Sequence, residues 1–129
     1  MTSHTYFPWV LIILSALFDA YASYVVKYKF NELGEMKLNS FSSFLSYTKV
    51  LIQSSFFLSA VVVFILAPFL WFIALNKIQL SIGYPALVCF HLLFVYLISY
   101  FLLNELFNIY KVIGAIFLLL SIFLFYKGS

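Results

Sequence analysis

Asp19 is the residue whose chemistry departs most from its surroundings. It lies near the middle of the apolar run 6–26 and is the only charged side chain in it. A carboxylate at bilayer depth costs roughly 3 kcal/mol on insertion scales, so such a group faces a cavity, pairs with a partner, or exchanges protons and cationic cargo. Low dielectric disfavours the ionised form. One carboxyl then holds a proton or a cation but not both, and that exclusion is sufficient for antiport.

Four further side chains can join it. Ser15, Asp19, Ala22 and Ser23 recur at i, i+4, i+7, i+8, with Ala16 beside them. This small, polar face is suited to close helix contact, which turns Asp19 toward a packed interior and away from lipid. Lys27, two turns beyond Asp19, stands near the membrane boundary; it attracts a phosphate head group or snorkels to the interface. Tyr84 and His91 are seven residues apart and share an angular position on a helix. Tyr84 is a candidate hydrogen-bond donor to Asp19. A lone His in a span is either a hydrogen-bonded packing residue or a proton relay, and both readings stand.

The elements that position these residues follow from composition. The 129-residue chain is 66% hydrophobic and 9% charged, and its mean hydropathy is +1.12. A soluble domain carries about 25% charged residues. Spanning helices need about 20 mostly apolar residues, and the stretches 6–26, 56–75, 82–103 and 109–126 qualify. The expected fold is all-α, a single four-helix membrane domain over 1–129. No cleaved signal peptide is expected, because residues 1–5 lack Lys and Arg and the first apolar run continues to Lys27. The net charge of +3 comes from seven Lys, too dispersed for nucleic acid. Five of them (Lys27, Lys29, Lys37, Lys49 and Lys111) fall on one side of the predicted bundle, against Lys77 and Lys127 on the other. That bias favours a cytoplasmic first loop with both termini outside. Cys89 is the lone cysteine, a small packing residue that excludes an internal disulfide and a Cys-based metal site.

Between the spans, Gly34 is a plausible helix stop. The segment 38–52 mixes apolar residues with Ser, Thr and Lys, as expected of an amphipathic helix on the membrane surface; an extension of the second span is the alternative. Pro68 is expected to kink the second span. The link 76–81 is short enough to demand a tight hairpin between spans two and three. Gly83 and Pro85 predict a broken or bent start to span three, of the kind that lines substrate paths. Gly114 and Ser121, seven apart with Ala115 alongside, form a small-residue stripe for packing within the chain or for dimerisation.

Four short spans, a central acid in the first, and the segment ALNKIQLSIGYP before the third resemble the small multidrug resistance proteins. They also resemble the wider drug/metabolite transporter superfamily, including small flippase subunits for aminoarabinose carried on undecaprenyl phosphate. Asp19 lies eight residues before Lys27, the spacing of that family's essential Glu before the Lys that ends span one. Tyr84 matches its span-three Tyr, and an ungapped count of 30 residues brings its span-four glycine onto Gly114. Glu105 falls where many superfamily members carry a Gly-Glu pair. The chain departs from the pattern in having Asp for Glu, Leu87 for a substrate-stacking Trp, Cys89-Phe90-His91 for a glycine-rich stretch, and a longer first loop. The resemblance implies a multi-pass protein of the bacterial inner membrane.

Four helices are too few to build two gated faces, a problem transporters solve with inverted repeats meeting near the midplane. A homodimer, parallel or antiparallel, or a pair with a related small transporter is therefore expected. Two copies of Asp19 would share one cavity and titrate as a coupled pair. Three functions stay open: a proton-coupled exporter of small cations or metabolites, a flippase for a lipid-phosphate-linked sugar or similar amphiphile, and a non-transporting scaffold subunit. Membrane lipid is the common partner. No enzyme motif, metal cluster or phosphate loop is legible, and no cofactor is expected.

Overall fold

The computed structural model describes residues 2–35 and 37–128, with side chains described from Tyr6 onward. Five helices follow one another: α1 (Thr2–Leu33), α2 (Phe41–Ile52), α3 (Ser55–Leu75), α4 (Leu80–Phe101) and α5 (Ile109–Lys127). Four of them are long and apolar enough to cross a membrane, and α2 is not among them. The chain is an all-α, multi-pass membrane protein.

Helix boundaries follow local chemistry. Gly34 takes φ +88° and ends α1, its N–H bonded to the carbonyl of Phe30 at 2.9 Å; only glycine adopts that conformation without steric cost. Ser40, Ser54 and Asn108 cap α2, α3 and α5, each side chain accepting from the backbone N–H three residues on. The first span is longer than its apolar run. At 32 residues, α1 measures about 48 Å, against about 30 Å of hydrocarbon. Lys27 and Lys29 do not end it, since charges outside the hydrocarbon leave backbone hydrogen bonding intact.

Segment 38–52 forms the separate helix α2 and is no extension of α3, because the chain breaks regular helix at Gln53–Ser54. Tyr47 donates its hydroxyl to the Gly34 carbonyl at 2.6 Å, tying α2 to the end of α1. Phe41, Phe44, Leu45, Val50 and Ile52 remain exposed, as on a helix that rests in a membrane interface.

α1 is the centre of the bundle and packs against both α3 and α4. The seam is made of small residues. Ala60, Ala67 and Ala74, seven apart on α3, are all buried, as are Ser15, Ala16, Ala20 and Ala22 on α1 and Gly83, Ala86 and Cys89 on α4. A seven-residue repeat of small side chains lets helices approach closely along a left-handed crossing. The expected tight hairpin of spans two and three is therefore corrected. α3 and α4 meet at their linked end, where a Cβ on Gly83 would lie 3.0 Å from Ile78 Cγ2 and 3.3 Å from the Trp71 ring. Along most of their length α1 lies between them. Of the broken or bent start expected for span three, the break is excluded: α4 is continuous through Gly83 and Pro85, and a Pro near a helix start costs little. α3 likewise continues through Pro68.

α5 is peripheral. It lines α4 and reaches α1 through aromatic contacts, the rings of Trp9 and Tyr126 lying 5.3 Å apart. None of its residues is buried, and a Cβ on Gly114 would meet nothing within 4 Å. Gly114 and Ser121 are half-buried on the least exposed face of α5, loosely packed and not in the core.

Candidate functional site

Asp19 lies half-buried on α1, in the part of the bundle where α1 packs on α4. His91 of α4 lies across this interface, within electrostatic range of the Asp19 carboxyl. Among the described residues Asp19 makes no hydrogen bond or ion pair; the one salt bridge is Lys29–Glu32. The Nδ1 atom of His91 is buried and has no hydrogen-bond partner. A buried polar atom left unpaired costs roughly 1–3 kcal/mol. An unpaired carboxyl on α1 and an unsatisfied imidazole nitrogen on α4 are therefore both held inside an apolar bundle. Such a pair has capacity for a proton, a water or a cationic group.

Above this pair a cleft of about 250 Å³ opens between α1 and α4, lined among others by Ala20, Ser23, Lys27, Ser99 and Glu105. Ser23 is one helical turn from Asp19, and Ala20 is its chain neighbour. Glu105 is held at the rim by the backbone. Asn104 adopts φ +55°, and the Glu105 N–H bonds back to the Ser99 carbonyl at 2.9 Å, folding the loop over the end of α4. A second groove, of about 520 Å³, lies between α1 and α3. Phe30, Phe57, Ala60 and Phe64 make it almost wholly apolar, and Ser23 and Lys27 line it as well. Lys27 thus stands on the ridge between the two, both of them mainly apolar.

No family model, curated protein or solved structure matches this chain. The site is therefore described by its own geometry. Of the residues singled out from sequence, Asp19 and His91 come together across the α1–α4 interface, and Ser23 and Lys27 come together in the clefts. Tyr84 belongs elsewhere: it is 56% exposed, and its ring lies 6.2 Å from that of Trp71. It shares a helical face with His91 but sits two turns away, about 10 Å along the axis, and makes no hydrogen bond to Asp19 among the described residues. Gly114 and Ser121 lie on α5, away from the cleft residues.

Sequence reasoning misses two features. The Ala60–Ala67–Ala74 repeat is visible as spacing and identifies the face of α3 that receives α1. Glu105 stands out for its position in the third loop, but its place at the cleft depends on the αL turn at Asn104, for which the sequence gives only the weak signal of an Asn after a helix.

Proposed function

We propose that this protein is a small secondary transporter in which a proton and a cationic or metabolite substrate compete for Asp19. The observation that carries the reading is an unpaired, half-buried carboxyl within electrostatic reach of His91, one turn below a mainly apolar cleft that Ser23, Lys27, Ser99 and Glu105 also line. Exporters of this kind need a group that releases its proton when cargo arrives, and Asp19 has no competing ligand among the described residues. The resemblance to small multidrug resistance proteins and the drug/metabolite transporter superfamily agrees with it, and that resemblance would put the protein in the bacterial inner membrane. No enzymatic step enters this reading.

The test is solid-supported-membrane electrophysiology on proteoliposomes. Guanidinium, quaternary ammonium and polyamine compounds are compared on wild type and Asp19→Asn. A substrate-evoked current that vanishes in the variant supports the reading; undiminished transport by Asp19→Asn overturns it.

A flippase for a lipid-phosphate-linked amphiphile is the second reading. Its support is the apolar groove that Lys27 also lines, which offers one wall to a hydrocarbon tail and an ammonium to a phosphate. Native mass spectrometry then finds an anionic lipid retained by wild type and lost from Lys27→Gln. In both readings the working unit is a dimer with a second copy or with a related small transporter.

A further inference from the structure

We infer that the α1–α4 cleft is a receiving site for a small zwitterion, whose cationic end meets Glu105 and whose anionic end meets Lys27. Both residues line the same cavity, yet among the described residues they form neither an ion pair nor a hydrogen bond with one another. Each is placed by its own scaffold: Lys27 by α1, which remains helical well past it, and Glu105 by the αL turn at Asn104 and the bond to Ser99. A simple cation drawn to Glu105 meets repulsion from Lys27, and a simple anion drawn to Lys27 meets repulsion from Glu105. A ligand carrying both charges satisfies both walls, and this discriminates by repulsion as well as by attraction. The hydroxyls of Ser23 and Ser99 supply neutral donors and acceptors, while Val95, Ile98 and Leu103 close the remaining walls with apolar surface. A volume of about 250 Å³ is below the roughly 300–1,000 Å³ of pockets for drug-sized ligands. The ligand is therefore short, an amine and a phosphate or carboxylate a few bonds apart. A free solute and a phosphatidylethanolamine head group both present that chemistry.

The inference depends on the transporter reading only for the fate of the bound ligand, and equilibrium binding separates the two. Purified protein in phosphatidylglycerol nanodiscs is titrated with phosphoethanolamine, with ethanolamine alone and with methyl phosphate alone. The expected result is saturable binding of phosphoethanolamine, with each single-charge probe about tenfold weaker or worse. Lys27→Gln and Glu105→Gln each weaken phosphoethanolamine about tenfold. The double exchange Lys27→Glu with Glu105→Lys keeps both charges in the cleft and restores binding to within about threefold, which separates recognition from a loss of folding. Adding phosphatidylethanolamine to the nanodiscs distinguishes the sources: competition assigns the site to a lipid head group, and its absence to a free solute. Absence of saturable binding, binding by both neutralised variants as tight as by wild type, or ethanolamine binding as tightly as phosphoethanolamine each overturns the inference. Asp19→Asn should bind the zwitterion and fail to move it. If Asp19→Asn transports normally, the proton-coupled reading falls while the cleft measurement stands.

Discussion

The hydroxyl of Ser15 on α1 donates to the main-chain carbonyl of Ala67 on α3 at 3.0 Å, and both residues are buried. This hydrogen bond pins α1 to α3 at the middle of the alanine seam, one turn from Asp19. Removing the hydroxyl leaves no orphan, because the Ala67 carbonyl lies inside a continuous helix and keeps its helical donor. Ser15→Ala should therefore lower stability by only about 0.6 kcal/mol, the average for such bonds in membranes. Ala67→Leu drives a large side chain into the same contact and should cost about 1–3 kcal/mol. Thermal unfolding in detergent, followed by circular dichroism, orders the two variants. A larger loss for Ser15→Ala would contradict the seam as described.

Asp19 and His91 should behave as one unit. In a double-mutant cycle on transport rate, Asp19→Glu, expected to keep a measurable rate, combined with His91→Gln should deviate from additivity by about 0.5–3 kcal/mol, as coupled groups do. Asp19→Glu with Tyr84→Phe should be additive to within about 0.5 kcal/mol, since Tyr84 sits against Trp71, two turns of α4 from His91. Coupling to Tyr84 as strong as that to His91 would move the site toward the other end of α4.

Gly83 is a tight spot. A methyl group there meets Ile78 Cγ2 at 3.0 Å and the Trp71 ring at 3.3 Å. Gly83→Val should destabilise the protein by about 1–3 kcal/mol through overpacking, readable as a lowered melting temperature and as increased accessibility of a cysteine introduced at position 78.

Gly114 is the opposite case. With nothing within 4 Å of its virtual Cβ, Gly114→Leu should leave the melting temperature of the monomer almost unchanged. The same substitution should lower the dimer fraction seen by single-molecule photobleaching in liposomes. A stable variant that dimerises like wild type would remove α5 from the interface.

The sequence exposes the parts that depend on one-dimensional physics. Apolar length marks the four spans, and Gly34 marks the end of α1, because a left-handed residue is required there. It does not show that the helix runs on unbroken through the polar run after Val26 to Leu33, which reads as the start of a loop. It also pairs the wrong helices. A short link between α3 and α4 fixes only where they meet, whereas the spacing of Ala60, Ala67 and Ala74 decides which neighbour each face receives. Periodicity puts Tyr84 and His91 on one face without giving depth, and depth separates them. The approach of Asp19 to His91 arises between helices far apart in the chain, where local pattern carries no information.

One consequence concerns the order of synthesis. α1 leaves the ribosome first, yet both of the walls it leans on, α3 and α4, are made later. Until they arrive, its alanine flank and its acidic group have only acyl tails for company, so the nascent hairpin depends on a neutral, protonated Asp19 or on an insertase holding it. The helix that organises the finished bundle is therefore the one that waits longest for its neighbours.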